Sequence, residues 1–558
     1  MSDLTSEWLW IVILAFIISF FLAFGIGAND VANAFGTSVG SKVISLLWAC
    51  ILASIFEVLG AVLIGYRVSD TIRKGIIDPM QYNNSEKLLA MGNLSALTGS
   101  CIWMFIATLF RLPVSATHSI VGATVGFSLV AKGTRGVSWE KLGFIVGSWF
   151  FSPVMSGIMS ALLFLFVRKM VLNKEKPLEP GLTLLPLFYA FTVCINALSV
   201  FLDGSELLHF NKIPLYGSFI LSIGLALIVG VLVRYLVVPW MRRKIIAEIT
   251  FQVKAEENKC LEAEDEDADK EERKISRAEN KKILDLFSRL RRKRKSITLK
   301  EADGECTKSL NENGAALDGE RHWNSNGNGV AGRDVQLMLL NTEINETASA
   351  GNSTTLLVAK PEVEIVEAEV EVVGSNDRKH LSRELIKDKP ETKMLFSFLQ
   401  ILTAIFGSFA HGGNDVSNAI GPLIGVWMIY NEGSVAQKAP TPIWILIYGG
   451  AGISIGLWVL GRRVIKTMGE DLSKITPSSG FCIEIGAATT VLVASYFALP
   501  ISTTHCKVGS IIFTGRVRSN ENVDWSLFRN IFIAWVVTLP ASGALSALMM
   551  FLLEQFAL

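Results

Sequence analysis

Charged side chains are scarce in this 558-residue chain: only 18% are Asp, Glu, Lys or Arg, while 50% are apolar. So few charges exclude a soluble enzyme of this length and fit a multispan membrane protein. The seven cysteines include no CxxC pair, so their spacing implies neither a zinc site nor a disulfide framework. Cys50, Cys101, Cys194, Cys482 and Cys506 fall in or beside apolar runs and read as small buried hydrophobes. A phosphate-cradling GxxxxGK[ST] word is missing, so nothing points to ATP hydrolysis. Missing too are the basic flank and small-residue cleavage site of a signal peptide. The apolar run from Trp8 to Ala28 is long enough to span about 30 Å of hydrocarbon and reads as a retained first helix.

What remains is an uneven chain. Net charge is +1, and more than half of all charged residues lie between Arg242 and Lys393. Apolar segments follow the first one at roughly 43–64, 91–110, 114–130, 142–167, 182–202 and 215–240. They resume at roughly 395–410, 416–430, 443–460, 481–499, 501–515 and 528–553. Some neighbours are split only by Pro113, Pro500 or the Gly412-Gly413 pair, a mark of broken helices or re-entrant hairpins. The pattern predicts an all-α polytopic membrane protein with about twelve transmembrane helices. Residues 1–240 form an N-terminal membrane half, 241–393 a polar and largely disordered loop, and 394–558 a C-terminal membrane half. Within the loop, residues 256–295 read as a charged helix, and the basic run 291–295 as a solvated face.

The two halves repeat each other. Asn29-Asp30-Val31-Ala32-Asn33 returns as Asn414-Asp415-Val416-Ser417-Asn418, and Leu112-Pro113-Val114-Ser115-Ala116-Thr117-His118 as Leu499-Pro500-Ile501-Ser502-Thr503-Thr504-His505. Trp149 and Gly157 return as Trp535 and Gly543, so all offsets lie within two residues of one another. Seven crossings before the loop and five after it make the repeats inverted. With the N-terminus outside, the loop, Arg168, Lys169, Arg242, Arg243, Lys244, Arg462, Arg463, Arg516 and Arg518 fall on the cytoplasmic side. Asn83, in the sequon Asn83-Asn84-Ser85, then faces outward as a glycosylation acceptor, whereas the sequons at Asn345 and Asn352 face the cytoplasm. Lys132, Arg135 and Lys141 run against the charge rule by falling outside.

Four acids, Asp30, Glu57, Asp415 and Glu484, lie in or at the edge of apolar segments. Ionisable groups at membrane depth cost at least about 2.5–3.5 kcal/mol, so they mark function. Asn29, Asp30 and Asn33 follow Gly25 and Gly27, and Asn414, Asp415 and Asn418 follow Gly412 and Gly413. Glycine allows the backbone to unwind and expose carbonyls, which with Asn and Asp oxygens would suit Na⁺. Ser115 and Ser502 read as N-caps of helices starting after Pro113 and Pro500, with Thr117, Thr503 and Thr504 as further hydroxyls. A hydroxyl-rich helix N-terminus is an anion site. Carboxylates beside an anion would repel it unless cations lie between them. The two words therefore imply cation-coupled anion transport, with phosphate favoured by its many acceptor oxygens. His118 and His505 sit in no HExxH word and read as structural, while Lys507 could reach the anion or snorkel.

The words Gly27-Ala28-Asn29-Asp30-Val31-Ala32-Asn33, Gly413-Asn414-Asp415-Val416-Ser417-Asn418-Ala419, Thr71-Ile72-Arg73-Lys74-Gly75 and Ser502-Thr503-Thr504-His505-Cys506-Lys507-Val508-Gly509 carry a resemblance. Together they resemble the type III sodium-dependent phosphate cotransporters of animals, across both membrane halves. That resemblance implies sodium–phosphate symport at the plasma membrane, external termini, and transport-essential acids at Glu57 and Glu484. It departs at Met104, where relatives often carry Gln. The expected partners are inorganic phosphate, sodium ions and the bilayer, with no nucleic acid, no cofactor and no metal beyond sodium. A homodimer is compatible with the sequence. A proton-coupled phosphate or sulfate carrier is the nearest alternative. The four intramembrane acids argue against an anion channel, and the duplicated Ser/His word argues against an intramembrane hydrolase, so no enzymatic activity is expected.

Overall fold

The computed structural model describes residues 2–30, 32–110, 112–203, 210–298, 386–461, 472–520 and 522–557. Asn345, Asn352, Arg462, Arg463, the side chains of 291–295 and most of the polar loop lie outside them. The chain divides into two units, one within 1–255 and 373–558, the other within 256–372.

Long apolar runs become helices because a backbone in lipid must satisfy its own hydrogen bonds. In chain order these are α1 (Ser2–Asp30), α2 (Ala32–Gly40), α3 (Leu46–Lys74), α4 (Glu86–Leu109), α5 (Ala116–Lys132), α6 (Trp139–Val167) and α7 (Leu178–Asp203). There follow α8 (Leu215–Leu232), α9 (Val238–Thr298), α10 (Pro390–Glu432), α11 (Ile443–Leu460), α12 (Pro477–Tyr496), α13 (Thr503–Arg518) and α14 (Trp525–Ala557). Helix α9 carries the charged segment expected at 256–295. No strand occurs among the described residues, only two isolated bridges, Ile77 with Val137 and Ser473 with Val523.

Those bridges close two hairpins. Helices α4 and α5 run back along each other, with Ser100 Oγ 2.8 Å from Ser119 Oγ and Tyr82 Oη 2.9 Å from Ser128 Oγ. The chain thus leaves this pair where it entered. Helices α12 and α13 do the same, with Arg518 Nη1 donating to Ser478 Oγ at 3.2 Å. Helix α14 starts at the mouth of the second hairpin, where Asp524 N donates to Leu472 O at 3.0 Å. It ends at the mouth of the first, where Lys87 Nζ donates to Ala557 O at 2.8 Å. At about 1.5 Å per residue, α14 separates the two mouths by roughly 50 Å. The hairpins therefore enter from opposite ends.

Among the described residues, ten helices or helix runs are long and apolar enough to cross a membrane. Helices α5 and α13, at 17 and 16 residues, are shorter return arms. Counting α4 with α5 and α12 with α13 as returns leaves five of the ten as crossings before the loop and three after it, the same odd parity as seven and five.

One correction concerns glycine. Helix α10 runs unbroken for 43 residues through Gly412-Gly413, so the backbone does not unwind there. These glycines serve close packing instead. A Cβ on Gly412 would collide with the backbone carbonyl of Glu57 on α3, and one on Gly60 with that of Phe409. Small residues at such crossings let backbones approach, which is how apolar helices gain contact in lipid.

Candidate transport site

The hairpin tips meet in the interior. Ser115 and Ser502 have extended backbones and cap α5 and α13, each Oγ accepting from the N–H of His118 or His505 at 3.2 Å. Thr117 Oγ1 donates to Ile501 O at 3.0 Å, and Thr504 Oγ1 lies 3.2 Å from Val114 O. Each tip therefore binds the other's backbone.

The asparagines lock this arrangement by one rule applied twice. The first Asn of each word clips the tip of its own half: Asn29 Nδ2 donates to Leu112 O and Asn414 Nδ2 to Ile501 O, both at 2.9 Å. The second reaches across: Asn33 Nδ2 donates to Thr504 Oγ1 at 2.8 Å, and Asn418 Nδ2 to Thr117 Oγ1 at 3.1 Å. The residues expected as cation ligands and those expected as anion ligands thus interleave.

Asp30 and Asp415 lie between the tips, each 1% exposed. Asp415 Oδ1 accepts from Asn418 Nδ2 at 3.0 Å and Asn414 Nδ2 at 3.2 Å, and its Oδ2 accepts from Thr503 Oγ1 at 2.5 Å. Asp30 Oδ1 is 3.2 Å from Thr504 Oγ1. Three buried oxygens, Asp30 Oδ2, Asn414 Oδ1 and Asn418 Oδ1, have no hydrogen-bond partner. Orphaned hard oxygens are expensive unless a cation or donor satisfies them.

His411, which the sequence reading missed, ties the acids together. Its Nδ1 lies 2.8 Å from Glu57 Oε2, and its Nε2 approaches Asp415 Oδ2 at 2.9 Å without hydrogen-bond alignment. The His411-x-x-x-Asp415 spacing, four residues on one helix face, was the available signal. Ligand atoms of Asp30, His411 and Asp415 lie within 4.8 Å of one another. Ser408 Oγ completes the set by donating to Glu57 Oε1 at 3.1 Å.

Glu484 stands apart from that cluster. Its Oε1 accepts from Thr37 Oγ1 at 2.5 Å and Ser38 Oγ at 2.7 Å, and its Oε2 from Thr403. It shares a small cavity of about 20 Å³ with Asn33, His411, Thr503 and Lys507.

His118 and His505 sit behind the tips. Their ring centroids are 4.3 Å apart, and each ring lies 3.7 Å from a Trp ring, Trp149 or Trp535. An apolar pocket of about 510 Å³ opens beside them towards Phe150 and Phe532, and it has too little polar lining for an anion. Asn83 is exposed in the loop between α3 and α4.

A profile of the phosphate transporter family matches residues 26–546, which take in both hairpins and both Asn-Asp words. The chain belongs to the phosphate transporter family. It is 44% identical to sodium-dependent phosphate transporter 1-A of Danio rerio over 98% of this chain and 95% of that one. Against sodium-dependent phosphate transporter 1 of Rattus norvegicus the identity is 42%, over 99% and 96%. A solved structure titled as the sodium-dependent phosphate transporter matches with a TM-score of 0.67 at 29% identity, covering 98% of this chain and 99% of its own. Membership in this family and the apolar helices make the protein a multi-pass, all-helical membrane transporter.

Proposed function

We propose that this phosphate transporter family member imports inorganic phosphate by symport with sodium ions. The observation that carries the reading is the pair of buried aspartates, with orphaned oxygens on Asp30, Asn414 and Asn418, between two hydroxyl-lined hairpin tips. Asp30, Asp415 and the oxygens of Asn29, Asn33, Asn414 and Asn418 would hold sodium. Ser115, Thr117, Ser502, Thr503 and Thr504 would donate to phosphate, Thr503 and Thr504 once bound cations release them from Asp415 and Asp30. Glu57 and Glu484 are the further acids on which transport depends. The test is radiolabelled phosphate uptake by cells expressing the chain, with sodium replaced by choline. Uptake should fall to background. Equal uptake in choline, driven instead by a proton gradient, would establish the proton-coupled alternative.

The same reading places the protein in the plasma membrane with both termini outside and residues 241–393 in the cytoplasm. Residues 1–240 and 394–558 are then the membrane halves, their hairpins related as an inverted repeat. Asn83 and the C-terminal end of α14 share one side, since Lys87 joins Ala557 close to Asn83 in sequence. Asn83→Gln should abolish the mobility shift on glycosidase treatment. A shift that persists in the variant would overturn the assignment of Asn83.

A further inference from the structure

A lysine within a membrane helix ordinarily extends its ammonium toward water. Lys507 does not. It lies on α13 four residues after Thr503, so both side chains share one helix face. It is 3% exposed and lines the cavity formed with Asn33, His411, Thr503 and Glu484. Among the described residues, no carboxylate lies within 4.0 Å of its ammonium and no hydrogen bond engages it. Glu484, the acid across the cavity, is already occupied by the hydroxyls of Thr37, Ser38 and Thr403. An ammonium removed from water and left without close acceptors is unfavourable. It is also free to meet an incoming anion without first breaking a bond.

We propose that Lys507 is the cationic ligand of the transported phosphate, completing the hydroxyl set at the second hairpin tip. The inference rests on the reading of the chain as a phosphate carrier and adds a charge to the site that the hydroxyls lack. The other ionisable groups lining the cavity are Glu484 and His411, and His411 is already engaged by Glu57 and Asp415, so Lys507 is the one lining cation with no carboxylate at close range. A lysine supplies a fixed positive charge and up to three donors to oxyanion oxygens. The cavity is small, with room for about one water, so it must widen to admit phosphate. Glu484 then stands as the counter-charge that faces Lys507 when phosphate has left.

The test compares phosphate half-saturation at saturating sodium for the unaltered chain and Lys507→Gln, normalised to surface expression. Removing a charge-assisted donor should raise the half-saturation constant about tenfold or more. Lys507→Arg, which keeps the charge but presents a broad planar group, should raise it less. An unchanged constant in Lys507→Gln would overturn the proposal. If that variant does not reach the surface, Lys507→Arg decides, because the small cavity should make its constant rise and an unchanged one refutes the assignment. Failure of the parent reading looks different: the unaltered chain would then show no sodium-dependent phosphate uptake.

Discussion

Replacing Asp415 by Asn should raise the sodium concentration for half-maximal phosphate uptake about tenfold to a hundredfold. That range corresponds to losing one charged contact of about 1.5–3 kcal/mol. The substitution keeps the side-chain shape and one carbonyl oxygen but removes the charge beside Thr503, Asn418 and His411. Phosphate affinity should fall at fixed sodium and partly recover as sodium rises, because the coupling of bound ligands is reciprocal. Sodium and phosphate titrations across a pH range check this. Unchanged sodium dependence with intact transport would remove Asp415 from the sodium site.

Glu57→Gln should have the largest effect on the protein itself. Glu57 is fully buried, and its carboxylate meets His411 Nδ1 and Ser408 Oγ. Removing one partner of a buried ion pair costs about 3–5 kcal/mol, and His411 would keep only the unaligned Asp415 carboxylate. Surface-biotinylated protein and the melting temperature of the solubilised protein should both drop, and transport should be lost. Removing both partners in Glu57→Gln/His411→Gln should recover part of the surface expression. If the double variant is no better than the single one, the pairing is not what the single variant lost.

Much of this was legible because it is local. Proline removes a donor and breaks the helix, and serine after it caps the next one; Pro113-Val114-Ser115 and Pro500-Ile501-Ser502 therefore declared the hairpin tips. The acids were legible because charge is rare at membrane depth. Partners distant in sequence were not. Thr37 and Ser38 lie more than 440 residues from Glu484, and in the sequence nothing distinguishes them from other small polar residues in apolar helices. Gly412-Gly413 misled because glycine marks both unwinding and close crossing, and only the position of α3 decides between them. Helix α4 has the length of a full span, and only its pairing with α5 reveals a return.

The crossed asparagine bonds carry a mechanical consequence. Asn33 latches the tip that enters from one end through Thr504, and Asn418 latches the tip from the other end through Thr117. The two latches are separate bonds on separate hairpins, so undoing one leaves the other fastened. A compartment closed by two such doors can be unlocked to either side in turn without becoming an open passage, as in an airlock.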